Sequence, residues 1–424
     1  MPRAKARANP YHIDGRSPGR VVEPKDDEET ATLLRAADAA GDAVVAVGGG
    51  TLLGIGNPPQ HYEIALSTLR LDKIYAYDHR DLTIGAGAGV TVAQLSALLA
   101  KQRQFVPLDV PRASHATIGG TLAAGWLGPR RAAHGRPRDL LIGTTTALAD
   151  GTLAHAGGMV VKNVSGYDLS RLYVSSLGTL GVITRANFKT LPMPPAFRLT
   201  IAPLSEGTRV RAAANVQGLE VEPTAALLID GFREMLPFEL GAEGAIVLAF
   251  EGSHAAIERA TRSVRSALGS AGVPETRIID TGAYETFARV LDAYIAPVPG
   301  RSLTLRALGL PDGAVQRERA AREEIAPTAA LLDTIVDLRC GDLIARIFVD
   351  GKLDRLAVRG TLSDAVSALR VPLPEATVLA RALAFEGDID AWGRLPPAID
   401  VMRGLKAKFD PRATLAPGRF LGGI

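Results

Sequence analysis

Residues 43–47, Ala-Val-Val-Ala-Val, run directly into Gly48-Gly49-Gly50 and Thr51. Five apolar residues of strand length, ended by three glycines, read as a buried strand entering a turn. Without Cβ atoms, successive backbone N–H groups of such a turn can converge on an anion. A diphosphate is one occupant that suits them, and an ordinary tight turn is equally allowed by the residues alone. No Gly-Lys-Ser/Thr follows, so this is not a Walker-type phosphate loop.

The same alternation of apolar run and glycine recurs. Leu82-Thr83-Ile84 precedes GAGAG at 85–89, and Thr91 is placed to cap a helix carrying Val92, Leu95, Leu98 and Leu99 on one face. GAGAG lacks the G-x-G-x-x-G spacing, and Asp109 sits in PLDVP instead of at a strand end, which disfavours a nicotinamide-binding Rossmann unit. A close strand-to-helix turn is the expected role. TIGG at 117–120 lies about seventy residues beyond the first glycine run and could approach the same diphosphate from the other side, with Thr117 adding a hydroxyl. In KNVSGYDLSRL (162–172), Asp168 is expected to cap a helix from Leu169, Gly166 to turn the chain, and Lys162 to bring a positive charge to a phosphate or another anionic group. GTLGVIT (178–184) then sets glycines beside a β-branched strand.

At 424 residues the chain is too long for one core. The string PMPP at 192–195 suits neither a helix nor a central strand and marks a domain boundary. Beyond it, LTIAPL, TAALLID and AIVLAFEG alternate with an amphipathic helix, AAIERATRSVRSALGSAG, as in an α+β domain. A last helix near 397–408 leads into FDPRATLAPGRFLGGI. The basic stretch 1–19 is expected to be a loose tail; it lacks the apolar segment of a secretory signal, so a cytoplasmic location is expected. No run of 18 apolar residues predicts a membrane span. The net charge of +3 is dispersed, which argues against nucleic acid as a partner. The single cysteine, Cys340, cannot form an internal disulfide or supply the four thiolates of an iron–sulfur cluster.

In this order the motifs resemble the FAD-binding domain of the vanillyl-alcohol oxidase superfamily, the PCMH type, over roughly residues 20–192. ATIGGTLAAGWLGPRRAAHGRPRDLLIG (116–143), GGMVVKNVSGYDLSRL (157–172) and FDPRATLAPGRF (409–420) are similar to the glycolate oxidase FAD-binding subunits of the GlcE type. The resemblance implies an α+β protein: a PCMH-type domain of two α/β subdomains over 20–192, then an α+β cap over 196–424 whose C-terminal tail returns to the flavin. It implies FAD held by pyrophosphate contacts at Gly48, Gly49, Gly50 and Thr51, with further contacts at Pro111, Ser114, Thr117, Gly119 and Gly120 and an adenine contact near Val182. Lys162, Asn163, Tyr167 and Asp168 are implied to lie close to the flavin. Thr51 and Leu52 stand where relatives carry a linking histidine, so the flavin is expected to be noncovalent. Where the family often has asparagine before Pro-Gly, this chain has Ala416.

The resemblance further implies oxidation of a small 2-hydroxy acid, glycolate to glyoxylate, beside a sister flavoprotein subunit and an iron–sulfur subunit, with any membrane association made through those partners. Related enzymes with a metal-assisted mechanism carry a GDGN-like signature and histidines in the second domain. Here the seven histidines are at 12, 61, 79, 115, 134, 155 and 254, and no GDGN occurs, so a metal site is not expected. Tyr167 and His115 are the candidates for proton transfer. Two other readings remain open: a free-standing FAD-dependent dehydrogenase of another 2-hydroxy acid such as D-lactate, and a non-catalytic scaffold subunit.

Overall fold

The computed structural model describes residues 9–159, 168–296, 298, 301–349, 351, 353–381 and 389–424. Three short strands, β1 (Arg20–Val22), β2 (Val44–Val47) and β3 (Ile64–Ser67), form a parallel sheet in the order β1-β3-β2. Parallel strands are usually covered on both faces, and here the helix Asp27–Ala40 packs Leu34 and Ala37 with Val44, Ile64 and Leu66 on one of them. The Asp26 carboxylate caps that helix by accepting from Glu29 N–H, and Gly41 ends it in the left-handed region at φ 76°.

The other face is filled from the N-terminus. Residues up to 19 were expected to be a loose tail, but the chain is packed from residue 9: Ile13 is 2% exposed and sits with Val45, Val47, Tyr62, Ala65 and Ala416. Tyr62 Oη donates to the Tyr11 carbonyl at 2.9 Å, and Asp14 pairs with Arg381 of the second domain. Polar sequence around these few anchors conceals how much apolar surface on β2 needs covering.

The second subdomain is an antiparallel sheet. β4 (Ile74–Asp78), β5 (Thr83–Gly87), β7 (Leu141–Ala147), β8 (Leu153–Gly157) and β9 (Val182–Lys189) pair in the order β4-β5-β9-β7-β8, while β6 (Gln104–Phe105) pairs with β10 (Leu191–Pro192). The GAGAG segment is not wholly a turn, because β5 continues through Gly87. A Cβ there would stand 2.0 Å from the Leu71 carbonyl oxygen, so glycine is required for close passage of the two backbones. Thr91 then caps Val92–Ala100 in a full capping box with Gln94.

From Ala196 the chain builds one eight-stranded antiparallel sheet. Its strands are β11 (Ala196–Pro203), β12 (Ala225–Asp230), β13 (Ala245–Gly252), β14 (Arg277–Ile279), β15 (Ser302–Ala307), β16 (Leu331–Asp337), β17 (Leu343–Phe348) and β18 (Thr377–Arg381), in the order β14-β11-β13-β12-β16-β17-β15-β18. A continuous apolar core joins the domains, running from Ile84, Leu122 and Trp126 to Leu227, Leu248 and Leu303.

Two buried ionic networks cross the same junction, and they start from adjacent residues. Arg130 meets Asp109 and Glu251 at 2.5 Å each, with His134 also on Glu251; Arg131 reaches Asp342 at 2.8 Å and Asp337 at 3.5 Å, and Arg306 shares Asp342. Glu251, Asp337 and Asp342 belong to the cap sheet and its turn, whereas Asp109 lies in the first domain.

Candidate functional site

β2 delivers the glycine run to the edge of the first sheet. Gly50 takes φ 71°, a conformation that side-chain-bearing residues rarely adopt. The backbone N–H groups of Gly49, Gly50, Thr51 and Leu52 meet no acceptor among the described residues. Unused donors on one short loop form an anion-binding concavity.

TIGG comes directly against it. Thr117 caps the helix Ile118–Ala124, its hydroxyl accepting from Gly120 N–H at 3.2 Å. A Cβ on Gly48 would lie 2.1 Å from Thr117 Oγ1, and one on Gly119 would lie 2.7 Å from the Ala88 side chain. Gly48–Leu53, Thr117, Gly120 and Ala124 line one cavity with Leu177 and Arg419. A second cavity of about 280 Å³ adjoins it along Gly50–Gly54, bounded by Asp14, Arg112, Ile295 and Arg381.

The C-terminal tail closes the first cavity from behind. Val44 N–H donates to Thr414 O at 2.7 Å and Ala416 N–H to Val44 O at 2.8 Å, so the tail lies beside β2 like a further parallel strand. Ala416 adopts φ 45°, a left-handed conformation that asparagine tolerates better than alanine. Lys406 fixes the tail from inside, its Nζ donating to Asp410 at 2.6 Å, Leu415 O at 2.7 Å and Thr179 O at 3.0 Å.

Of the residues singled out in the sequence, Gly48, Gly49, Gly50, Thr51, Thr117 and Gly120 gather around the first cavity, and Gly119 lies behind it. Pro111 is buried; Ser114 and His115 are exposed next to the loop contact, with Ser114 Oγ and His115 Nδ1 2.9 Å apart. The side chain of Val182 is enclosed with Leu34, Val44 and Ala147. Asp168 is not a helix cap. The short helix Ser170–Tyr173 is entered through Leu169 in helical geometry, which leaves no extended capping position, and the Asp168 carboxylate pairs with Arg171 at 2.8 Å in solvent. Lys162, Asn163 and Tyr167 lie outside the described residues. Among the described residues no three His, Cys, Asp or Glu side chains gather as a metal site would require.

Sequence reading missed Asp14, Arg381, Lys406 and Arg419. The only local signal for the last was Pro-Gly-Arg at 417–419, which reads as a turn until the tail is seen against β2.

Residues 18–157 match the family described as FAD binding domain. The chain is 26% identical to glycolate oxidase subunit GlcD of Bacillus subtilis, over 95% of this chain and 88% of that one. It is 36% identical to glycolate oxidase subunit GlcE of Escherichia coli over 42% of this chain, spanning 51% of that protein's length. The structure of 4-ethylphenol oxidase from Gulosibacter chungangensis superposes with a TM-score of 0.69 at 15% identity, covering 94% of this chain and 88% of that one, a likeness of fold. The architecture is therefore a PCMH-type FAD-binding fold of mixed helix and sheet, and FAD is its cofactor. Unused N–H groups on a glycine loop beside a buried guanidinium fit the diphosphate of that cofactor.

Proposed function

We propose that this chain is the FAD-binding subunit of a glycolate-oxidase-type complex, oxidising glycolate to glyoxylate with a noncovalently held flavin. It is an FAD-dependent oxidoreductase of CH–OH groups, and the substrate class is a small 2-hydroxy acid. The observation that carries this reading is the direct seating of the ATIGG segment on the GGGT loop, with the C-terminal tail behind, in a chain that matches a glycolate oxidase subunit almost end to end.

Bound FAD supplies a two-electron acceptor for the hydride of the alcohol carbon. Gly49–Leu52 N–H groups hold the diphosphate, and Thr117 keeps the opposing helix start closed on the loop. His115 is exposed next to that contact, and with Nδ1 2.9 Å from Ser114 Oγ its Nε2 is the nitrogen we assign to exchange of the hydroxyl proton. Among the described residues no histidine or cysteine lines the first cavity, which favours a noncovalent flavin. Cys340 is a poor candidate for electron relay, since burial, aided by Asp337, pushes its thiol up to about 12. Onward electron transfer is therefore assigned to a sister flavoprotein and an iron–sulfur partner.

The test is the visible spectrum of the isolated chain, followed anaerobically after addition of glycolate and then D-lactate. Bleaching by glycolate places the oxidation here; bleaching by D-lactate alone gives the substrate as a different hydroxy acid. A flavin that stays oxidised until partner subunits are added moves the chemistry off this chain.

A further inference from the structure

Arg419 is 3% exposed, and its guanidinium donates to three neutral carbonyls, those of Leu53 at 3.0 Å, Ile55 at 2.6 Å and Asn57 at 3.2 Å. Among the described residues it makes no ion pair of its own. The charged groups acting on it are Asp14, which attracts, and Arg381, which repels. Asp14 is already committed to Arg381, whose side chain is 2% exposed. Among the described residues two buried guanidiniums thus share one carboxylate, which leaves one positive charge over. Burial pushes the Arg419 pKa down to about 10 in spite of Asp14. A buried charge without a counter-charge is strongly disfavoured, and this one lines the same cavity as the unused N–H groups of the glycine loop.

We propose that Arg419 is the fixed positive charge of the cofactor site and that it selects a diphosphate-bearing flavin, FAD, over flavins lacking that group. The inference rests on the reading that Gly49–Leu52 take the diphosphate. The excess charge attracts the diphosphate anion through a water-poor interior, where attraction is screened far less than at a surface. The three carbonyl contacts hold the guanidinium in place and at the same time shape the 53–57 segment that follows the nest. A brace alone would act on every ligand alike; a charge acts on the diphosphate.

The test is equilibrium binding of FAD, riboflavin and ADP to the full chain freed of flavin, at several salt concentrations. Arg419→Gln is expected to weaken FAD and ADP about tenfold or more, the range for a charged hydrogen-bonding partner. It should leave riboflavin within about twofold, the loss on FAD should persist at high salt because the charge is buried, and Arg419→Lys should recover most of the FAD affinity. Equal losses on FAD and riboflavin would overturn the proposal in favour of a brace. Asp14→Asn works in the opposite direction: it removes the one carboxylate, so FAD and ADP should bind about threefold or more tightly with riboflavin unchanged. Should Arg419→Gln fail to fold, unchanged FAD and ADP binding in Asp14→Asn would be decisive against the idea. If wild-type chain binds FAD but ADP does not compete, the nest reading itself fails, separately from the role of Arg419.

Discussion

The carbonyl oxygen of His115 stands 1.6 Å from the position a Cβ on Gly49 would occupy. The glycine loop and the segment entering TIGG are in backbone contact, and neither can move without the other. Gly49→Ala must push them apart by more than an ångström, because a backbone carbonyl cannot swing aside like a flexible side chain. The variant should retain little FAD on purification and lose stability by about 1–3 kcal/mol, the usual cost of overpacking. Flavin-to-protein absorbance ratio and a urea titration check both parts. Full flavin content would mean that the loop contact does not shape the site.

Arg130 is the centre of the interdomain junction. Arg130→Met strips Asp109 and Glu251 of their shared cation while both remain buried. Breaking a buried pair from one side costs about 3–5 kcal/mol, so the urea midpoint should fall sharply. The same substitution made together with Glu251→Leu should cost less than the sum of the two single changes, since one of the two stranded carboxylates is then also gone.

Glu251 gives the junction a pH dependence. Burial alone would raise its pKa, but the hydrogen bond from His134 and the charge of Arg130 outweigh that and hold it below the ordinary 4.5. A carboxyl that binds its proton less readily folded than unfolded contributes stability in full above that ordinary value. The contribution fades as the pH falls from there toward the lowered folded value. Asp14, Asp333 and Asp337 are shifted upward, chiefly by burial, and act with the opposite sign. The readout is therefore the difference between wild type and Glu251→Gln in chemical denaturation at successive pH values. The gap should be widest at neutral pH and narrow below about pH 4.5; a gap that widens on acidification would contradict the assignment.

Lys406→Met should free the C-terminal tail. It leaves Asp410 buried with only the N–H groups of Thr414 and Leu415 as donors, and removes the ties to Thr179 and Leu415. A loss of about 3–5 kcal/mol is expected, with new protease cleavage between 410 and 424 and poorer FAD retention. A tail that stays protected would show that the strand-like pairing at Val44 is sufficient.

Local sequence made the nest legible because glycine after a β-branched run has few structural uses. Thr91 was legible as a cap for a similar reason: a hydroxyl before an apolar helical stretch has a defined partner two or three residues on, whereas the capping role of Thr117 came only with the structure. What lay hidden depends on residues far apart in the chain. Asp14 and Arg381 are 367 positions apart, and neither has a neighbour that announces the other. Asp168 misled because its position before a helical segment was right while the backbone geometry needed for capping was absent. The tail was anticipated by resemblance, but its parallel pairing with β2 and the three carbonyls gathered by Arg419 come only from the packed chain.

Arg130 and Arg131, adjacent in the chain, enter two separate carboxylate groups at the junction. A body fastened at a single point can pivot; one fastened at two cannot turn about either without tearing the other. A swinging cap is thus the wrong picture for how substrate arrives. Turnover should therefore tolerate a chemical cross-link placed across the two-arginine seam.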